Sequence, residues 1–276
     1  MHTVRGAGWE YTRWRAPGLD GLVDHLWAFA GPTVNPRKRV FPNGCIELIV
    51  NLAQPYRLLE GGGPALLRHV FVGGMQTGPM LLEQPAHQAC VAARLTVRGA
   101  RLLFGRPLSE VTDLHVDLDD LLGAAARELA ERCAEAATAP ARLQLLAAWL
   151  RARMRGDRTG RDDPAISWAV ARLERSAGTT AIAALQRDTQ RGKAALAAAF
   201  RDHVGVTPKV FARILRLRRV LGLLQGDRGG LAEVALAAGF YDQAHMNAEF
   251  RALAGMTPRQ FLAARHPVGD GSTAAG

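Results

Sequence analysis

Phe200-Arg-Asp-His-Val-Gly205-Val-Thr-Pro-Lys209-Val-Phe211 and Phe250-Arg-Ala-Leu-Ala-Gly255-Met-Thr-Pro-Arg259-Gln-Phe261 are two versions of one segment, 50 residues apart. Seven positions agree in kind: Phe, Arg, Gly, Thr, Pro, a base and Phe. That density in one frame marks a repeated supersecondary unit. Gly205 and Gly255 suit the left-handed residue that ends a helix. Thr207-Pro208 and Thr257-Pro258 then open the next one, Thr as N-cap and Pro at the first helical position. Phe211 and Phe261 are placed to pack back on the preceding helix.

Working outward, Leu231-Ala-Glu-Val-Ala-Leu-Ala-Ala-Gly239 predicts a short helix that stops at Gly239. A second helix begins after Asp242, its N-cap, with Met246 and Phe250 buried four apart. Helix, glycine turn, capped helix is the helix-turn-helix pattern. The first copy should hold the same element between Ile182 and Phe200, with Ile182, Leu185, Leu196 and Phe200 as its core. Between the copies, Pro208 to about Gln225 predicts one long helix with Phe211, Ile214, Leu215, Val220, Leu221 and Leu224 at helical spacing. Arg213, Arg216, Arg218 and Arg219 fill much of the rest.

These residues carry a resemblance. Ala-Gly239-Phe-Tyr-Asp-Gln-Ala-His245, Phe250-Arg, Gly255-Met-Thr-Pro258 and Phe261 make the last hundred residues similar to the DNA-binding domain of the AraC/XylS family of bacterial transcription regulators. The resemblance implies two helix-turn-helix units joined by one helix, and a cupin-like sensor region ahead of them. Phe41-Pro-Asn-Gly-Cys45-Ile-Glu-Leu-Ile-Val-Asn51 is the best segment for the latter. The first unit departs from the family: Gln190 stands where the turn has Gly, Gly192 where the helix has a Ser or Thr cap, and Gln186 where the first helix has Ala. The positions the family turns toward bases are here Ala194, Ala197 and Ala198, which offer no hydrogen bond. The first unit is therefore expected to anchor on phosphates, with specificity shifted to the second.

In the second unit Gln243, Ala244, His245 and Asn247 are the expected base readers, Gln and Asn being suited to bidentate contacts with adenine. From Arg187 to Arg219 nine Lys or Arg stand against two acids. Arg191, Lys193, Arg201, Lys209, Arg213, Arg251 and Arg259 are the phosphate candidates, a subset of which are expected to be ordinary surface charges. The expected partner is double-stranded DNA.

The first half reads differently. Ile46–Leu52, His69–Val72 and Ala89–Val97 are short apolar runs between turn residues and predict strands, hence a small β-barrel or sandwich. Glu60–Pro64 reads as a loop. From about Leu118, Leu121, Leu122, Ala125 and Leu129, then Leu143, Leu146, Ala147 and Leu150, recur at helical spacing, broken near Ala139-Pro140. The polar stretch Arg155–Pro164 reads as the linker. The expected fold class is α+β: residues 1–155 a β-rich, cupin-like domain with following helices, 165–265 an all-α double helix-turn-helix domain.

The chain has 276 residues, and 35 Lys and Arg outweigh 25 Asp and Glu by 10 charges, which favours an anionic partner. No uncharged apolar run of 18 residues exists, so no membrane span is expected. The opening MHTVRGAGWEYTRWR lacks an apolar signal core, and Cys45, Cys90 and Cys133 form no short pair, so a cytoplasmic, reducing location is expected. His25, His69, His87 and His115 have no His-x-His spacing, and neither a metal nor another cofactor is expected. Trp9, Trp14 and Trp27 are expected to pack a core. Glu47 faces either a barrel interior or solvent. The β-rich half is expected to sense a small molecule or to mediate homodimerisation. Two alternatives stand beside a sequence-specific regulator: a weakly specific DNA-associated protein, and a repair protein accepting alkyl groups on Cys45. No catalytic constellation supports an enzyme.

Overall fold

The structure, a computed structural model, describes residues 1–59, 65–154, 163–226 and 229–264. The loop expected at Glu60–Pro64 and residues 155–162 of the expected linker lie outside them. Contacts divide the chain into two units: Met1–Arg39, Cys45–Gly74 and Met80–Asp162, against Val40–Gly44, Met75–Pro79 and Asp163–Gly276.

In the first unit the antiparallel order β1 (His2–Gly6), β2 (Trp9–Trp14), β3 (Val23–Pro32), β10 (His87–Leu95), β5 (Ile46–Asn51), β8 (Val70–Gly73), β11 (His115–Asp117) makes a seven-stranded sheet. A four-stranded sheet runs β4 (Arg37–Val40), β9 (Met80–Glu83), β6 (Tyr56–Leu58), β7 (Ala65–Leu67). Together they form the β-rich domain that the short apolar runs predict. The strand expected to reach Val97 ends at Leu95, because Thr96 turns the chain into helix α1 (Val97–Phe104). Its Oγ1 accepts from Gly99 N at 3.0 Å, an N-cap that outweighs the β-propensity of Val97.

Helices α2 (Leu118–Leu122), α3 (Ala124–Glu135) and α4 (Ala139–Met154) follow. Leu129, Leu143, Leu146, Ala147 and Leu150 are buried, as their spacing requires. Arg142 reaches back from α4 to donate to the Cys133 and Ala136 carbonyls at the end of α3, satisfying groups the helix cannot. Of the tryptophans expected in a core, Trp27 is buried but Trp9 is 38% exposed, near the outer strand of the sheet.

The second unit contains α5 (Pro164–Arg175), α6 (Ile182–Asp188), α7 (Lys193–Val204), α8 (Pro208–Gln225), α9 (Leu231–Ala237), α10 (Gln243–Ala254) and α11 (Pro258–Ala263). Asp163 caps α5, accepting from Ala165 N and Ile166 N. Helix α8 contacts α5, α7, α9 and α10. Its buried residues Phe211, Ile214, Leu215, Leu217, Val220, Leu221 and Leu224 point to more than one side, so it serves as the spine of both repeats. Phe41, from the short segment 40–44, belongs to this unit's core and meets the Phe261 ring edge-on at 5.7 Å.

Candidate nucleic-acid interface

The two repeats are built from the same parts. Gly205 and Gly255 end α7 and α10 with φ of 94° and 67°, each N–H donating to the carbonyl of the Arg four residues earlier. Thr207 and Thr257 cap α8 and α11, the latter in a full capping box with Gln260. Phe200 packs on Phe211 at 6.4 Å and Phe250 on Phe261 at 6.0 Å, the same 11-residue step in both copies. Leu185, Leu196 and Phe200 are fully buried as expected, while Ile182 is half-buried.

The turns differ. In the first, Arg191 N donates to Gln186 O and Gln190 holds φ of 54°; in the second, Phe240 N donates to Ala235 O and Gly239 holds φ of 79°. These equivalent groups lie 49 residues apart, whereas the caps Gly192 and Asp242 lie 50 apart. The second turn therefore has one extra residue, and Tyr241 stands out of it at 89% exposure. The single 50-residue frame hides this insertion. Asp242 accepts from His245 N at 2.7 Å, but Gly192 gives α7 no side-chain cap.

On α10, Ala244 and His245 are exposed, and Gln243 and Asn247 are half-buried. Asn247 Oδ1 is sealed from water without a hydrogen-bond partner, so presenting that oxygen outward requires a different rotamer. Gln243 also borders an open groove of about 360 Å³ shared with Arg259 and Leu231. On α7, Lys193, Ala194 and Ala198 are exposed and Ala197 is half-buried.

Lys193, Arg201, Lys209, Arg251 and Arg259 are exposed. Arg191 instead pairs with Asp163 at 2.7 Å, and Arg213 donates to Glu249 at 2.5 Å with both side chains about three-quarters buried. Those two guanidiniums are engaged within the protein. Beside them, Arg216 Cζ lies 5.3 Å over the Phe240 ring, and Phe240 meets His245 edge-on at 5.4 Å. Burial lowers the Arg216 pKa, Glu249 opposing that shift and Arg213 adding to it. This chain of contacts from α8 to the start of α10 orients His245, a role the arginine pattern alone did not reveal.

Helices α7, α8, α10 and α11 have no acidic residue in their first turns, where three of them carry Lys193, Lys209 or Arg259. Cations at the positive end of a helix are locally unfavourable, worth about 0.3–1 kcal/mol each in the wrong direction. Exposed N–H groups with a cation beside them make anion sites. Among the described residues no group of three or more His, Cys, Asp or Glu is placed to hold a metal ion, and no helix is long and apolar enough to cross a membrane.

Comparison with known proteins agrees with this architecture. Residues 185–264 match the helix-turn-helix domain family, and residues 16–117 match a domain of unknown function (DUF6597). No curated protein matches the chain. Similar solved structures include ToxT from Vibrio cholerae, 10% identical with a TM-score of 0.47 over 93% of this chain and 98% of that one. An unsaturated-fatty-acid-bound ToxT from Vibrio cholerae is 9% identical, with a TM-score of 0.46 over 85% and 93%. The xylose-binding transcription activator XylR is 17% identical, with a TM-score of 0.32 over 41% and 30%. Residues 185–264 therefore form a helix-turn-helix domain of the AraC type, and a β-rich domain precedes them in the chain.

Proposed function

We propose that the chain is a sequence-specific, DNA-binding transcription regulator whose β-domain responds to a small molecule. The observation that carries this reading is the set of helix starts at α7, α8 and α11, each without an acid in its first turn and each carrying an exposed cation, Lys193, Lys209 or Arg259, while the start of α10 is capped by Asp242 and exposes Ala244 and His245. A folded chain keeps such a locally unfavourable pattern where an anion completes it, and two copies on one spine suit two stretches of one phosphate backbone. Helix α8, 18 residues long, extends about 27 Å, a spacer compatible with major-groove segments roughly 34 Å apart.

Gln243, Ala244 and His245 carry base reading on α10, with Asn247 contributing after a rotamer change. Lys193, Arg201, Lys209, Arg251 and Arg259 carry phosphate contacts. The alanine surface of α7 favours one second reading, a weakly specific DNA-associated protein. Nuclease footprinting on promoter fragments separates the two. Protection of a patch spanning two helical turns at preferred sequences supports regulation, and uniform protection supports the weaker reading. Gln243→Ala is expected to relax preference at one base position, whereas Lys209→Ala weakens binding to all sequences alike.

A further inference from the structure

Val40-Phe-Pro-Asn-Gly44 joins β4 to β5 in the chain, yet its contacts place it in the helical second unit. The sequence stiffens this segment at both ends. Pro42 fixes its own φ and holds the preceding Phe41 to an extended backbone. Gly44 turns the chain with φ of 75°, a left-handed conformation suited to glycine. Few conformations remain to the segment, so seating Phe41 costs little further chain entropy.

Three contacts anchor it. Gly44 lies beside α8: a Cβ placed there would stand 3.5–3.6 Å from the side chains of Leu215, Ile214 and Phe211. Arg218 Nη1 donates to the Asn43 carbonyl at 3.3 Å, across 175 residues of sequence. Phe41, 7% exposed, sits in a hydrophobic core whose other buried members run from Leu217 to Phe261. That core belongs to the second repeat; Leu185, Leu196 and Phe200 of the first are not in it. Phe41 meets Phe261 edge-on at 5.7 Å, and Phe261 meets Phe250 edge-on at 6.0 Å. Phe250 lies on α10, one turn after Met246, and that helix opens with Gln243, Ala244 and His245. Among the described residues, no third ring joins Phe200 and Phe211, the matching pair of the first repeat.

We propose that Phe41 is a positioning residue for DNA reading: seated on Phe261, it holds α11 and, through Phe250, the reading edge of α10. The specific half of recognition then depends on a segment from the β-rich half of the chain. Edge-to-face rings prefer an angle as well as a distance, so the Phe41–Phe261–Phe250 series sets how α11 lies against α10. Truncating Phe41 leaves a hole beside Phe261 that its neighbours fill only in part. Helices α10 and α11 loosen, while α7 keeps a core of its own. The seating of Phe41 stands apart from the function proposed above; only its effect on base preference rests on that function.

Hydrogen exchange of the full chain, read by mass spectrometry, tests the seating first. Phe41→Ala is expected to speed exchange across residues 243–263 at least about tenfold and to leave α7 unchanged. The second readout is affinity, by fluorescence anisotropy, for duplexes that the wild-type chain selects from random DNA and for the unselected random pool. Phe41→Ala should cut the preference for selected duplexes about tenfold, the worth of one good base contact, with a much smaller loss on the random pool. Phe41→Leu, apolar and of similar bulk, should restore most of that preference. Phe41→Val, a milder truncation, carries the same test if Phe41→Ala does not fold. The proposal is overturned if exchange changes in neither segment or in both alike, or if leucine restores nothing. It is equally overturned if the preference survives truncation, or if affinity for selected and random duplexes falls together. A wild-type chain that selects no sequence contradicts the regulator reading instead, and the exchange experiment then decides the role of Phe41 by itself.

Discussion

Gln190 holds a left-handed backbone that Gly239, its counterpart in the second repeat, adopts freely. The left-handed region costs a non-glycine residue about 1–2 kcal/mol, partly offset by the extra chain entropy glycine loses on folding. Gln190→Gly is therefore expected to raise stability by about 0.5–1 kcal/mol in urea unfolding. Gly239→Ala should lower it by more than about 1 kcal/mol, since a Cβ there is also driven into the Thr179 methyl. Two effects of equal sign would contradict this account of the turns. His115 offers a second test: burial pushes its pKa down to about 4 from 6.5. The unfolded state then binds the proton first, so stability is whole above about pH 6.5 and drains away as pH falls toward 4, by up to roughly 3 kcal/mol. His115→Phe should flatten that part of the stability profile. Burial also raises the thiols of Cys90 to about 12 and Cys133 to about 11. Iodoacetamide at neutral pH should leave both unmodified in the native chain by mass spectrometry, with any labelling confined to half-buried Cys45.

Among the elements, the contact between α8 and α10 does most to place the proposed reading surface. Glu249→Gln removes the charge partner of Arg213 and, through it, slackens the Arg216–Phe240–His245 series. Because this pair is partly solvated, the stability loss should be small, about 1 kcal/mol, while discrimination at the base facing His245 falls before overall DNA affinity does. Equal loss on specific and random DNA would show that Glu249 only supports the fold. The parts of these elements that were legible in the sequence rest on local chemistry. Asp242, Thr207 and Thr257 cap helices, Gly205 and Gly255 end them, and Phe200/Phe211 and Phe250/Phe261 repeat one packing step. What was not legible depends on distant partners. Arg213 looks like any basic surface residue until Glu249, 36 residues away, is brought beside it. Thr96 looks like part of a strand until its side chain caps α1 and also donates to the Leu22 carbonyl.

For the whole molecule, the sequence shows an apolar-run half and a helical half, but not the order of the strands. β3 lies between β2 and β10, and β10 between β3 and β5, pairings across tens of residues that no local pattern encodes. The same scale decides DNA binding. With Arg191 and Arg213 engaged internally, the exposed set Lys193, Arg201, Lys209, Arg251 and Arg259 remains for the proposed phosphate contacts. If all five bind, the logarithm of affinity should fall against that of salt with a slope of about −4 to −5, and Lys209→Ala should reduce it by about 1. The most direct measurement of the central claim is selection of binding sites from random duplex DNA by the full chain, followed by footprinting of the winners. The account predicts an enriched site with two protected elements one helical turn apart, one of them strongly specified and lost in Gln243→Ala, the other protected but loosely specified. Enrichment of no sequence, or a single protected element, would contradict it.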